Sequence, residues 1–183
     1  MSWDDTREYV DEAIAALAAL TEGAEPSDTI RDVQVELAAM RGAGGDAAGR
    51  DALVAAVLEA DPGHVGALKL RARARIAADA PELAIQDMRT ALAEAPRDPE
   101  IMTIMAIAHE REGARELAGE RLALAVEASD RAPAESLRYA RFLLQDDRLG
   151  PAEGVVVDAL RRAPDDADLL IELGRIHVAR RDW

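Results

Sequence analysis

Residues 62–96 read PGHVGALKLRARARIAADAPELAIQDMRTALAEAP, and this stretch runs from Pro62 to Pro96, 34 residues later. Pro164 follows after two more intervals of 34, and the vacant slot between them holds Asp130. The sequence therefore repeats with a period of 34, which can be read four times. A fixed period in this range predicts a stacked repeat protein, in which each unit buries its apolar face against its neighbours.

Alignment on this period shows what the repeat units share. The units begin at Arg31, Val65, Pro99, Pro133 and Ala167. The eighth residue is small in every unit, as expected where two helices approach closely: Ala38, Ala72, Ala106, Ala140 and Gly174. Later in each unit, apolar residues recur at i, i+4, i+7 and i+8, the stripe of an amphipathic helix. Within the units, turn-forming residues separate the first helix from the second at Asp79–Pro81, Glu112–Gly113, Asp146–Asp147 and Arg181–Asp182. Each unit is therefore predicted to be a pair of helices.

The unit that starts at Ala167 shows a family pattern best. Two large residues, Leu170 and Leu173, are followed by the small Gly174 and the aromatic-like His177. The acidic Asp182 and the aromatic Trp183 complete the pattern. This pattern resembles the tetratricopeptide repeat (TPR) family, and the resemblance covers Arg31–Trp183 in phase. It implies an all-α fold, a right-handed superhelical solenoid of antiparallel helix pairs with about ten helices. Some positions depart from the pattern, namely Arg71 and Arg75 in the second unit and Ser136 in the fourth. The first unit departs most, with Arg50 and the glycine-rich turn Gly42–Gly49.

Residues 1–30 precede the array, which is predicted to occupy residues 31–183, with an incomplete unit from residue 167. A helix is expected from about Asp4 to Leu20, with Ser2 and Asp5 at the spacing of a capping box. One face of that helix is expected to carry Val10, Ala13, Ile14, Leu17 and Leu20. The segment Tyr9–Ile14 resembles the start of a second helix in the same family. We interpret residues 1–30 as an N-terminal capping helix, with a degenerate half repeat as the alternative.

The sequence stops at Trp183, where a second helix of the fifth unit would begin. The first helix of that unit is apolar on more than one side, and only part of this surface can face the preceding unit. Leaving one leucine uncovered forgoes about 1.5–3 kcal/mol. Two expectations stay open: the sequence is a fragment of a longer repeat protein, or this end packs on a second copy or a partner.

Composition excludes several classes of function. The formal net charge is −14, so the field of the whole molecule repels nucleic-acid phosphates and anionic membrane surfaces. No apolar run approaches the roughly 20 residues of a membrane span, which predicts a soluble protein without direct membrane insertion. Cysteine is absent, which excludes disulfides and thiolate sites. A single lysine beside abundant arginine and alanine is typical of a bacterial protein, and both cytoplasm and periplasm remain open.

No catalytic or metal-binding motif is complete. His109–Glu112 begins like the HExxH zinc motif, but residue 113 is glycine, so the second ligand is missing. His109 and His177 lie two periods apart, where the family places an aromatic residue, and we expect both to pack between helices. Asp165, Asp166 and Asp168 are interpreted as helix-capping residues. The sequence thus predicts no enzyme, no cofactor and no metal site.

The resemblance also implies a binding groove, because the first helices of TPR units line a concave surface with their second, fifth, ninth, twelfth and thirteenth residues. The groove residues predicted in this way are Lys69, Arg73, Ile107, Glu110, Leu137, Arg141, Leu144 and Arg175. Arginine on the inner face of an acidic protein suits an extended peptide with acidic and apolar side chains, since guanidinium groups bind carboxylates bidentately. In the alternative interpretation, these arginines pair with glutamates of adjacent helices such as Glu110 and Glu172.

We therefore expect a non-catalytic scaffold that binds a peptide or protein segment in this groove. One alternative is the repeat domain of a longer enzyme or envelope-anchored assembly factor, whose active or anchoring part lies outside this chain. Another is a self-associating structural module, with homo-oligomers forming through the C-terminal end. The sequence alone does not identify the partner, because many peptides share the required shape and charge.

Overall fold

The computed structural model describes residues 3–180, with side chains at residue 9 and from residue 12 to 180. This part of the chain contains ten α-helices and no strand. The helices are α1 (Trp3–Thr21), α2 (Asp28–Ala43), α3 (Ala47–Ala60), α4 (Val65–Ala77), α5 (Pro81–Glu94), α6 (Pro99–Arg111), α7 (Arg115–Ala128), α8 (Pro133–Gln145), α9 (Leu149–Leu160) and α10 (Ala167–Arg180). The predicted all-α fold is confirmed. The expectations for Ser2, the Val10 side chain, the turn Arg181–Asp182 and Trp183 lie outside the described residues.

Successive helices pack in pairs, α2 with α3, α4 with α5, α6 with α7 and α8 with α9. Short connections make the members of each pair antiparallel. First helices of neighbouring pairs also touch, α2 with α4, α4 with α6 and α8 with α10. One apolar cluster runs from α2 to α6 and another from α8 to α10, and Phe142 joins α6 and α7 to α8 between them. The core thus follows the stack as three successive apolar clusters, built by contacts between neighbouring helices.

The core follows the alignment of the repeat. Four of the five small residues at the eighth position are completely buried, and they are the alanines of α2, α4, α6 and α8. The apolar residues at the twenty-fourth position are buried in the four second helices: Val54, Met88, Leu122 and Val156. Gly174, the eighth residue of the fifth unit, is exposed instead. The interior is thus regular through α9, and the pattern changes at α10.

The turns inside the pairs share one backbone conformation. The fifteenth residue of each of the first four units has a positive φ angle: Gly45, Asp79, Gly113 and Asp147. Glycine and aspartate are residues that tolerate this left-handed region. At the turns between pairs, side chains cap the next helix: Asp98 accepts from the amide of Glu100 at 2.8 Å, and Asp166 accepts from that of Leu169 at 2.9 Å. The predicted turns within the described residues are thus found, and Asp166 caps α10 as expected, while Asp168 lies in the first turn of that helix.

Departures from the family pattern are accommodated locally. In the first unit, Gly42 makes room for Arg50, since a Cβ at residue 42 would lie 2.9 Å from the Arg50 Cδ. In the second unit, Arg71 and Arg75 converge on the buried carboxylate of Asp87, each with one nitrogen at 2.6 Å from it. A charged cluster here replaces an apolar contact. The first unit, the weakest match in sequence, still forms the regular pair α2–α3.

The N-terminal helix α1 packs against α2, as α3 packs against α4 and α9 against α10. Ile14, Leu17, Ala18 and Thr21 are partly buried on this side. Leu20, which the sequence groups with the packing face, is 62% exposed, so that expectation is wrong. At 3.6 residues per turn, Leu20 is rotated away from the line through residues 14, 17 and 21.

Candidate functional site

The predicted groove residues lie on the first helices of successive units. Lys69 and Arg73 are on α4, and Ile107 and Glu110 are on α6. Leu137, Arg141 and Leu144 follow on α8, and Arg175 lies on α10. Their spacing of three or four residues within a helix places them on one face of it. The repeat then sets these faces side by side, because α4 touches α6 and α8 touches α10.

At the α4–α6 end of the predicted groove, each cation has acidic partners. The Lys69 Nζ lies 2.6 Å from an Asp98 carboxylate oxygen and 2.7 Å from one of Glu100. Arg73 also binds Glu100, through its other carboxylate oxygen. Lys69 and Asp98 are both largely buried. This end is thus a compact cluster of two cations and two carboxylates, which we call the Lys69 cluster: Lys69, Arg73, Asp98 and Glu100.

The pKa values of the Lys69 cluster follow from these contacts. Burial by itself lowers the pKa of Lys69, but hydrogen bonds and the charges of Asp98 and Glu100 together raise it above its usual 10.5. Burial likewise raises the pKa of Asp98 and of Glu100, yet the nearby cations, led by Lys69, hold both below their usual values. All three shifts favour the charged form, so the cluster is an ion pair that the fold stabilises.

At the α8–α10 end, two arginines share one carboxylate. The Arg141 Nε donates to the Glu172 Oε2 at 2.9 Å, and the Arg175 Nη1 lies 3.4 Å from the same oxygen. The Glu172 side chain is only 4% exposed, whereas those of Arg141 and Arg175 are 54% and 65% exposed. This group, the Glu172 cluster, consists of these three residues. It carries one net positive charge and turns guanidinium groups toward solvent.

Between the two ends lies a recess of about 420 Å³. Glu110, Leu137 and Arg141 of the predicted groove line it, together with Arg138, Gln145, Ala134 and Phe142. The Arg138 Nη2 lies 2.6 Å from the Glu110 carboxylate. The wall of the recess is thus partly apolar and partly formed by an ion pair between α6 and α8.

The three predicted apolar groove residues are held largely by the core. Leu137 is buried, and Ile107 and Leu144 are partly buried against the neighbouring clusters. They leave little apolar surface for a ligand, because they pack in or against the apolar clusters of the core. The three arginines Arg73, Arg141 and Arg175 are the most accessible residues of the predicted groove.

The alternative interpretation describes Glu172, which pairs with Arg141 and Arg175, whereas Glu110 pairs with Arg138, outside the predicted groove residues. Sequence reasoning missed Asp98 and Arg138, which complete these pairs. A spacing of 31 residues from cation to acid recurs in Lys69–Glu100, Arg115–Asp146 and Arg141–Glu172, but neither Asp98 nor Arg138 has this spacing from its partner. The spacing corresponds to one repeat less about one helical turn.

The histidines take part in packing and capping. His109 is buried, with its Nδ1 3.2 Å from the Glu112 carboxylate, whereas the His177 side chain is partly exposed, 3.9 Å from Glu153. His64, for which the sequence gives no partner, accepts from the amide of Ala67 at 3.4 Å and lies 3.3 Å from Asp32. In the part of the chain that the structure describes, no three or more acidic or histidine side chains are arranged to hold a metal ion. No described helix is long and apolar enough to cross a bilayer.

Comparison with solved structures identifies the architecture. A thermophilic TPR protein from Thermus thermophilus is similar over 94% of this chain and 93% of its own, at 19% identity and a TM-score of 0.75. PilF of Pseudomonas aeruginosa matches 85% of this chain and 71% of its own, at 21% identity and a TM-score of 0.71. MamA from Desulfovibrio magneticus RS-1 matches 88% and 90%, at 15% identity and a TM-score of 0.67.

The sequence comparisons add no relative. No protein-family model matches the chain, and no curated protein is detectably similar to it. At these levels of identity, the structural similarity concerns the fold, and the side chains of the site must carry any functional argument.

Proposed function

We propose that this chain, which has the TPR-like solenoid fold, is a non-catalytic scaffold that binds an acidic segment of a protein partner along the α8–α10 part of the predicted groove. The observation that supports this proposal most directly is the Glu172 cluster, in which two half-exposed guanidinium groups share a single buried carboxylate. One carboxylate balances only one of the two positive charges. A partner carboxylate could supply the second without displacing Glu172.

The unbalanced positive charge of the Glu172 cluster can attract an acidic partner at short range, although the protein as a whole does not. The protein as a whole is strongly acidic, so an acidic partner is repelled at long range. At contact distance, bidentate guanidinium–carboxylate hydrogen bonds are strong and directional, and they distinguish a carboxylate from other groups. We therefore expect slow association that increases with added salt, together with binding that depends on the two arginines.

The adjoining recess supports an extended ligand with alternating character. A segment that places a carboxylate near Arg141 can direct a neighbouring side chain toward Leu137 and Phe142, which line the recess. Because the apolar area there is small, we expect the acidic side chains to contribute more to specificity than the apolar ones do.

The test uses the double variant Arg141→Glu/Arg175→Glu and a peptide array of alternating acidic and apolar residues, with Gln-for-Glu copies of each peptide. We expect the 183-residue chain to prefer the acidic peptides and the double variant to lose about tenfold or more in affinity. Arg89→Glu/Arg97→Glu is the matched control, since it changes the net charge equally at exposed residues outside the predicted groove. Equal losses in both variants would contradict the proposal, as would equal binding of the Gln copies.

A further inference from the structure

One face of α10 lacks the cover that equivalent faces have elsewhere in the chain. At the fourth position of the unit, Leu68, Met102 and Ser136 are buried, whereas Leu170 is 50% exposed. On the adjoining side, Ile171 and Val178 are 53% and 57% exposed. Within the described residues, this is a continuous apolar surface on one helix, of the kind that usually marks an interface.

Gly174 lies in the middle of this face. Its counterparts at the eighth position are alanines without solvent exposure. At Gly174, by contrast, a Cβ would find no other atom within 4 Å. The glycine thus lies where a helix packs closely in every earlier unit, and nothing in the described chain packs there.

The earlier units show what such a face receives. The first helix α4 is covered by its own second helix, α5, and by the next first helix, α6. In the same way, α8 is covered by α9 and α10. The face of α10 therefore has the shape that accepts a second helix followed by a first helix.

At the N-terminal end of the described chain, α1 and α2 follow one another as a second helix and a first helix do. Helix α1 packs on α2 as the second helices α3, α5, α7 and α9 pack on the first helices that follow them. Beside the residues that face α2, helix α1 carries Tyr9, Ala16 and Leu20 at helical spacing; all three are exposed, Tyr9 and Leu20 by 64% and 62%. No first helix covers this side in the described part of the chain.

We propose that α10 of one copy binds the α1–α2 edge of another copy, so that the superhelix continues from molecule to molecule. In this arrangement, α1 of the second copy lies against Leu170 and Gly174, as α9 lies on α8. Helix α2 of the second copy lies against Ile171 and Val178, as α6 lies on α4. The contact is heterologous, because different surfaces meet, and it therefore builds open chains of copies.

Charge supports this choice of occupant. The sequence of α1 contains five acidic residues and one arginine. Arg175, with its largely exposed guanidinium group, lies on α10 between Ile171 and Val178. The acidic sequence of α1 thus complements the positive charge of Arg175, whereas two copies of the α10 face brought together would place Arg175 against Arg175.

The first measurement is the weight-average mass of the 183-residue chain by sedimentation, from about 1 μM to about 1 mM, the range in which weak interfaces dissociate. We expect the mass to rise above 19.6 kDa and to pass the dimer value without reaching a plateau. A strict monomer throughout would overturn the proposal, and so would a plateau at the dimer.

The paired variants Gly174→Ala and Gly174→Gln separate docking from folding. Both replace a helical glycine by a better helix former, so neither is expected to weaken α10. Alanine reproduces the residue of the other units and should keep association, whereas the longer glutamine should reduce it at least tenfold by blocking close approach. Equal association of the two variants would contradict docking on this face.

The last experiment identifies the second surface by mixing two one-sided variants. Leu20→Glu blocks the α1 side, with circular dichroism confirming that its helix content is unchanged, and Gly174→Gln blocks the α10 side. Each variant alone should be monomeric, and an equimolar mixture should form a 1:1 dimer that grows no further. If Leu20→Glu associates as the unaltered chain does, the α10 faces pair with each other and the proposal is wrong; a mixture that stays monomeric also overturns it.

Discussion

The two ends of the predicted groove hold cations in different ways. In the Lys69 cluster, two cations face two carboxylates, and both Lys69 and Asp98 are largely buried. In the Glu172 cluster, two exposed arginines share one buried carboxylate. The first arrangement is balanced in charge and connects α4 to α6, while the second leaves a positive charge at the surface. The proposed function therefore assigns the ligand to the Glu172 cluster, whose positive charge its own neighbours leave unbalanced, and not to the Lys69 cluster.

The largest effect is expected when the buried carboxylate of Glu172 loses both partners. In Arg141→Met/Arg175→Met, the aliphatic part of each side chain is kept, but a buried charge is left unpaired. We expect the free energy of unfolding to fall by about 1–3 kcal/mol, measured by urea denaturation. This estimate is below that for a fully buried ion pair, because water reaches the site once the exposed guanidinium groups are removed.

Glu172→Gln is the matched control for that variant. It removes the charge and nearly keeps the shape, so the cost should be smaller than that of the double variant. Added to Arg141→Met/Arg175→Met, it should restore part of the lost stability. If the triple variant is no more stable than the double, Glu172 does not need its arginines, and the contrast between the two clusters fails.

The next largest loss of stability is expected at Asp98, which caps α6 and also binds Lys69 of α4. Its carboxylate accepts from the amides of Glu100 and Ile101 at the start of α6, and it also binds Lys69. We expect Asp98→Ala to lower the free energy of unfolding by about 1–2 kcal/mol, chiefly through the lost cap. Asp98→Asn keeps a capping oxygen and should lose clearly less. Equal losses in the two variants would show that the ion pair, rather than the cap, is the larger contribution.

The Lys69 cluster also predicts a dependence of stability on pH. The pKa values of Asp98 and Glu100 are lower in the folded protein than their usual 3.8 and 4.5. Their contribution is therefore present above about pH 4.5 and is lost as the pH falls through the lowered values. The pKa of Lys69 is raised above 10.5, so its contribution is present below that pH and is lost only in stronger alkali.

Lys69→Met tests this dependence, because it removes the cation that lowers both carboxylate pKa values. We expect the variant to be less stable than the unaltered chain at pH 7, by less than about 1 kcal/mol, since water reaches Glu100 and Arg73 and screens the cluster. The difference should shrink as the pH falls through the lowered pKa values of Asp98 and Glu100, because protonation removes the charges that Lys69 stabilises. Lys69→Arg keeps the charge and should follow the unaltered chain, and a difference that stays constant with pH would contradict the predicted linkage.

The sequence predicted the fold well, because the period of 34 constrains all units at once. The small residues at the eighth position must fit between helices, and they are buried in four of the five units. The turns at Asp79, Gly113 and Asp147 follow from the same alignment, and each has a positive φ angle. Periodic apolar packing is thus readable from one chain, since errors in one unit are corrected by the others.

The site was harder to predict, because charged side chains are long and several acids lie within reach of each arginine. The sequence placed Arg141 and Arg175 on one face but did not decide whether Glu172 or a partner would bind them. The cluster of Arg71, Arg75 and Asp87 was equally hidden, since Asp87 is sixteen residues from Arg71 and on another helix. Pairing of this kind depends on the distance between helices, which the repeat pattern does not specify.

The smallest expected effect is that of Arg73→Ala. Arg73 is more exposed than Lys69, and Glu100 keeps Lys69 as a partner when Arg73 is removed. We expect the free energy of unfolding to change by no more than about 0.5 kcal/mol, and the change to vanish in 1 M salt, where the Debye length is about 3 Å. A loss as large as that of Asp98→Ala would mean that the exposed arginine, and not the buried lysine, connects α4 to α6. The two ends of the predicted groove would then bind their cations in the same way, and charge balance would no longer distinguish a structural cluster from a site open to a ligand.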